Sequence, residues 1–325
     1  MFDAGNCSVV PDSVATDAGV AGAGVLLSFI ITNCLSLFLS SIIVLLNLRK
    51  STSAPICRKL LLSFSDQQIL TGIGLQSVGL AKMKTMVPYH FFIIWLLSTL
   101  STATNLSTLI ALVNDFKRDW VLRWLRQFLM LINLILGVVS SIFVLQSVMK
   151  NLEPRLPIAC VWVVESRGKS SNAALSLVGT IAVIAGNVIV FAFSTWYLHN
   201  RQNPKWLKTV QVVGLIALVA MGLGATVRVV LVSQAFGHPP ESVRLVGMGE
   251  KEWSFGQLLP LLLLSLPLIN TMEIIRGETR TPPSSVDEDT TPLFDGELVQ
   301  QQDGRFEYQP NPIWGSGSRS NLMGK

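Results

Sequence analysis

The sequence predicts an all-α polytopic membrane bundle of seven transmembrane helices, with its N-terminus outside or lumenal and its C-terminus in the cytosol. Three observations predict it. Seven apolar stretches, residues 19–48, 60–80, 89–113, 128–149, 173–198, 210–234 and 255–275, are long enough to cross a bilayer. A hydrocarbon core of about 30 Å takes about 20 helical residues. The chain is 50% hydrophobic and 14% charged, with a mean hydropathy of +0.51, whereas soluble domains carry about 25% charge. The third observation is the placement of Lys and Arg. The first, third and fifth loops hold eleven of them, from Arg49 to Lys208, and the longer even loops hold eight, mixed with Glu153, Glu165, Glu241, Glu250 and Glu252. Basic loops stay in the cytosol, which orients the chain. The net charge of +5 sits beside the spans, so it reads as topology and not as a nucleic-acid surface.

Residues 1–18 form a polar outer segment carrying Asp3, Asp12 and Asp17 and no base, so the first span reads as an uncleaved anchor. Asn6-Cys7-Ser8 is a glycosylation sequon, making Asn6 a candidate unless a bridged Cys7 so close to the span blocks it. The second span opens Ser63-Phe64-Ser65-Asp66-Gln67-Gln68 and runs on to Thr71. Ser63, Gln67 and Thr71 are four apart and share a helical face, with Asp66 on its flank. Gly72, Gly74 and Gly79 keep this helix thin. The third span adds a stripe of Ser98, Thr102, Asn105 and Thr108, and Asn33, Asn133, Asn187 and Asn270 put amides in four others. Arg228 lies about 27 Å from the cytosolic edge of the sixth span, within snorkelling reach of the outer interface. In the seventh, Pro267 breaks the hydrogen-bond ladder and predicts a kink, with Asn270 one turn later and Glu273 near the cytosolic end. The seven spans make one transmembrane domain, residues 19–276. Residues 277–325, rich in Ser, Thr, Pro, Gly, Asp and Gln with four bases against eight acids, predict a disordered acidic cytosolic tail.

Polar groups in lipid are costly, so they carry the functional information. Each has a structural reading, interhelical hydrogen bonding, and a functional one, the lining of a cavity. Ser63, Gln67, Thr71, Asn105 and Asn270 are the candidate ligand contacts. Asp66 and Glu273 are the candidate carboxylates; an apolar surround would leave Asp66 protonated and able to act as an acid. Cys7 and Cys160 both fall on the outer side, where oxidation can bridge them if their Cβ geometry allows. Cys57, among bases at the cytosolic face, is either a palmitoylation site or a free thiol. His90, His199 and His238 are scattered and no CxxC is present, so no metal site or cofactor is expected.

Two motifs resemble those of a large group of fungal seven-span integral membrane proteins. Asp17-Ala18-Gly19-Val20-Ala21-Gly22-Ala23-Gly24-Val25 is similar to that group's Asp-Val-Ala-Gly-Ile-Gly-Val, and Ser65-Asp66-Gln67-Gln68-Ile69-Leu70-Thr71-Gly72 to its Ser-Asp-Gln-Gln-Leu-Val-Thr-Gly. Tyr89-His90-Phe91 opens the third span as in that group, but Asn105 stands where the group often has His. The resemblance implies a multi-pass membrane protein and assigns no activity. G-protein-coupled receptors share the topology, but Asn114-Asp115-Phe116-Lys117-Arg118 does not match Asp/Glu-Arg-Tyr, nor Pro267-Leu268-Ile269-Asn270 the Asn-Pro-x-x-Tyr motif. Three readings follow. The first is a protein that senses or binds a small or lipophilic ligand, its partners being membrane lipid and that ligand. The second is a membrane-embedded enzyme of the terpene cyclase or isomerase type, using Asp66 and Glu273 with Gln67, Gln68 and Asn270 as orienters. The third is a proton-coupled transporter, although the two halves show no inverted repeat.

Overall fold

Backbone in lipid must satisfy its N–H and C=O groups internally, and apolar runs of this length do so by closing into helices. The computed structural model describes residues 7–49, 54–118, 120–165, 173–199 and 207–276, without some side chains inside the helices. They belong to one compact unit, Met1–Glu288; a second, Asp289–Lys325, lies outside the described residues. So do the tail 277–325, Asn6 and the side chain of Glu273. The helices are α1 (Ala18–Ala21), α2 (Ala23–Leu48), α3 (Pro55–Ala81), α4 (Pro88–Ala111), α5 (Val113–Arg118), α6 (Trp120–Met149), α7 (Ala173–His199), α8 (Leu207–Val232), α9 (Phe255–Leu263) and α10 (Leu266–Ile275). Two short strands, β1 (Val14–Ala15) and β2 (Leu245–Val246), pair in parallel, Val14 opposite Leu245.

Six segments, within α1–α2, α4, α6, α7, α8 and α9–α10, are long and apolar enough to cross a membrane. The chain is thus a multi-pass helical bundle. The second expected span folds as α3, whose 27 residues rise about 40 Å. It is not among the six, because Ser63, Ser65, Asp66, Gln67, Gln68, Thr71 and Gln76 dilute its apolar character.

The centre of the bundle is α4, whose membrane-length window is buried throughout. Around it pack α2, α3, α6, α7 and α8, while α9 lies on α2 and α10 on α3. Apolar side chains gain nothing by leaving lipid for one another, so helices in a membrane are held by close packing and by hydrogen bonds. Both are visible here. Phe91, Ile93, Ile94, Leu97 and Leu100 of α4 pack with Leu26 and Phe29 of α2 and Phe143 of α6. Toward the other end, Leu61 and Phe64 of α3 pack with Leu109 of α4 and Phe116 of α5.

Two spans depart from continuous helices. The first is interrupted at Gly22, which sits in an extended conformation between α1 and α2. Asp17 caps α1 by accepting from the Gly19 N–H at 3.2 Å. The following Gly24 lies so close to α9 that a Cβ there would come within 2.0 Å of the Gln257 carbonyl oxygen. The last of the six apolar segments breaks between Leu263 and Leu266. Pro267 lacks an N–H and its ring collides with the carbonyl four residues earlier, that of Leu263, and α9 stops there.

The end of the bundle that holds the N-terminus is capped by chain. Cys7 and Cys160 are bridged, with 5.7 Å between their Cα atoms. β1 pairs with β2, and Asp17 meets Lys82 at 3.1 Å. At the opposite end Arg58 joins Asp115 at 2.7 Å and also donates to the Asn47 side chain at 3.1 Å, tying α2, α3 and α5 together.

Candidate functional site

The polar stripe of α3 that meets the bundle is not the one its sequence foregrounds. Ser65, Gln68, Gly72 and Gln76 are buried against α4 and α6, whereas Ser63, Gln67 and Thr71 are half-buried. Ser65 Oγ donates to Asn105 Oδ1 at 2.8 Å, and Ser101 Oγ to the Gln68 carbonyl at 3.0 Å. Gln76 Nε2 donates to Asn133 Oδ1 at 2.8 Å, and Asn133 Nδ2 to Thr102 Oγ1 at 3.2 Å. From α2, Asn33 Nδ2 donates to the Leu100 carbonyl and to Thr104 Oγ1. The helices approach closely where these bonds form: a Cβ on Gly72 would stand 2.4 Å from Ser101 Oγ. Thr71 turns its hydroxyl back to the Gln67 carbonyl of its own helix.

This interior holds helices together, and the voids it borders among the described residues are too small for a substrate. The voids bordered by Thr102, Asn105 and Asn133, and by Ser98, Thr102 and Asn187, are each about 10 Å³. A ligand pocket takes about 300–1,000 Å³, and one water about 10–15 Å³ of such volume.

Asp66 does not enter the interior. Its side chain is 54% exposed and is bound by Arg126 of α6, itself only 3% exposed. Arg126 also donates to the Leu62 carbonyl at 3.1 Å and lies over the Phe116 ring, 5.2 Å from its centroid. Asn270 is exposed on α10, away from Asn105. Asp66, Gln67, Asn105 and Asn270, four of the candidate residues, therefore do not line one cavity. Helical rotation decides it, because the face of α3 bearing Ser65, Gln68, Gly72 and Gln76 meets α4, which turns Asp66 outward. Cys57 is a half-buried free thiol and Cys34 an exposed one.

A buried polar cluster closes the N-terminal end. Glu250, fully buried between α8 and α9, accepts from the Tyr89 hydroxyl at 2.9 Å and from His90 Nε2 at 2.8 Å. The Tyr89 oxygen in turn accepts from the Gln234 N–H at 2.8 Å. The Glu250 carbonyl accepts from the Ala23 N–H at 3.0 Å. Gln257, also fully buried, donates to the Glu252 carbonyl at 2.7 Å. Read from sequence, Glu250 is one of several loop acids and His90 one of three scattered histidines. The available signal was Tyr89-His90 at the mouth of a span otherwise free of ionisable groups.

The sizeable cavities lie elsewhere. α7 rests on α6 and α4, and α8 on α4 and α2, with little contact between α7 and α8. A lateral groove runs between those two helices, with α4 as its floor. One section, about 440 Å³, is lined by Trp95, Leu96, Thr99, Thr180 and Arg228 with Gly179, Ala182, Gly186, Ala220 and Gly224. The other, about 410 Å³, is lined by Leu109, Ile110, Phe193, Ser194, Gln211 and Gly214. Val190 and Ala217 line both, which makes them one groove. A Cβ added at Gly179, Gly186 or Gly224 would meet nothing within 4 Å. Small residues at 3–4 spacing on both helices, Gly179, Ala182 and Gly186 and Ala217, Ala220 and Gly224, would suit close packing, but here they line the groove instead.

Among the described residues, no three His, Cys, Asp or Glu side chains are grouped to hold a metal ion. No family model, curated protein or solved structure matches the chain.

Proposed function

We propose that this chain is a seven-span membrane protein that binds a lipophilic small molecule in the lateral groove between α7 and α8. One observation carries the reading. The groove's two joined sections, about 440 and 410 Å³, fall in the range of ligand sites, while the polar interior borders voids of about 10 Å³. Its lining is apolar, and it opens sideways between helices, where a molecule dissolved in the bilayer enters without crossing water.

The seventh span in this reading is α3. It connects α2 to α4 in the chain and turns its most polar buried face to α4 and α6, which removes the need for an apolar surface all round. An outer N-terminus is supported by the Lys and Arg bias of the loops and by the Cys7–Cys160 bridge at that end, since disulfides persist in oxidising compartments. The C-terminal tail is then cytosolic.

A neutral probe tests the binding site. Trp95 lies in the groove floor, so a brominated long-chain alcohol added to the purified protein in nanodiscs should quench part of the tryptophan emission saturably. Trp95→Phe should remove that component. Gly224→Leu, which puts a side chain into open groove space, should abolish saturation. Linear, unsaturable quenching that ignores both substitutions would overturn the reading.

A further inference from the structure

We infer that the occupant of this groove is a single-chain lipid with a carboxylate head, held head-first against Arg228. The inference rests on the lipophile-binding reading and specifies its ligand. Arg228 is the sole charged side chain in the lining, among the described residues. It is exposed and takes part in no ion pair there. It stands four residues, about 6 Å, before the end of α8 at Val232. A charged head there lies at the interface, while the tail runs inward.

The dimensions fit one chain. From Arg228 down to Gln211 the helix rises about 26 Å, so the groove is almost as long as the hydrocarbon core is thick. The two sections share Val190 and Ala217, so the groove is continuous along that length and takes one extended acyl chain end to end.

The head group follows from the charge. One guanidinium pairs two parallel N–H groups with one carboxylate. A diphosphate would bring more negative charge than one Arg offsets, and no acidic or histidine cluster among the described residues could recruit a metal to it. Snorkelling alone would also place an Arg at this depth, but it does not account for a cation at the mouth of an apolar groove of this length.

The test uses the full chain in nanodiscs of uncharged phosphatidylcholine and a long-chain fatty acid with a diazirine near its methyl end. Photolabelling, mapped by mass spectrometry, should fall on the section around Val190, Phe193 and Ala217. Unlabelled oleate should compete, and methyl oleate should compete at least tenfold less well. Arg228→Gln should weaken labelling by a similar factor, and Arg228→Lys should restore part of it. Equal competition by acid and ester overturns the carboxylate assignment and leaves the groove as a lipophile site. Labelling outside the groove, or labelling that never saturates, overturns both. The competition arm needs no variant, so misfolding of a substituted chain does not decide the result.

Discussion

Replacing Glu250 by Ala should be among the most damaging single substitutions in this protein. Its side chain accepts from the Tyr89 hydroxyl at 2.9 Å and from His90 Nε2 at 2.8 Å, in a fully buried position. A buried donor left without its acceptor costs about 1–3 kcal/mol. Two donors orphaned together come to about 3–5 kcal/mol, the middle of the doubled range. At about 2–4 °C per kcal/mol for a domain of 150–250 residues, the midpoint of thermal unfolding should fall by about 6–20 °C. Glu250→Gln keeps one acceptor and the volume, and should fall between wild type and Glu250→Ala. The assay is intrinsic tryptophan fluorescence against temperature in a mild detergent, repeated with His90→Ala and the double variant. Single losses that fail to add would establish the coupling. A drop below about 2 °C for Glu250→Ala, or strict additivity with His90→Ala, would refute the account of Glu250 as the keystone of the cap.

Four further outcomes follow. Cys7→Ser should lower the unfolding midpoint, since the bridge closes a loop of 153 residues, worth about 5 kcal/mol by chain entropy and about 2–4 in common practice; a midpoint unchanged by the substitution or by reductant would contradict this. Gly24→Leu should prevent α9 from docking, because even a Cβ there comes within 2.0 Å of the Gln257 carbonyl; overpacking of this kind costs about 1–3 kcal/mol or more, and near-wild-type stability in the same melt would argue against the crossing. Asp66→Asn should cost about 1–3 kcal/mol, because the carboxylate is 54% exposed but its partner Arg126 is only 3% exposed and loses its counter-charge while keeping an amide oxygen to donate to; a loss below about 0.5 kcal/mol would mean that Arg126 does not depend on this pair. Finally, in sealed microsomes the tail 277–325 should be cut by protease added from the cytosolic side, and its protection would reverse the orientation.

Much of this architecture was legible in the sequence because lipid imposes one rule on every span. The helical bundle, the break before Pro267 and the crowded approach at Gly72 all follow from residue type and spacing. The rotation of α3 was not legible. Ser63, Gln67 and Thr71 lie on one face and Ser65, Gln68, Gly72 and Gln76 on another, both at helical spacing, and polarity alone cannot say which meets α4. Asp66 followed that ambiguity: its sign and depth suggested an interior acid, but its partner Arg126 lies 60 residues away on α6 and binds it on the outward side. Glu250 was hidden for the opposite reason. A carboxylate in a loop rich in Gly, Lys and Glu reads as solvated until folding brings Tyr89 and His90 against it. The groove belongs to neither pattern, since it exists only because α7 and α8 diverge.

The fastening of the N-terminal segment has a consequence for biogenesis. Cys7 waits for Cys160, and Val14 for Leu245. At about 5–20 residues per second, translation reaches Leu245 roughly 10–50 s after Val14 has been made. The stretch around Val14 must therefore idle, unpaired, until Leu245 has been made. In the proposed orientation an oxidase and a vacant berth must await it across the bilayer, and premature pairing of its thiol with a stranger is the assembly error to which this chain is most open.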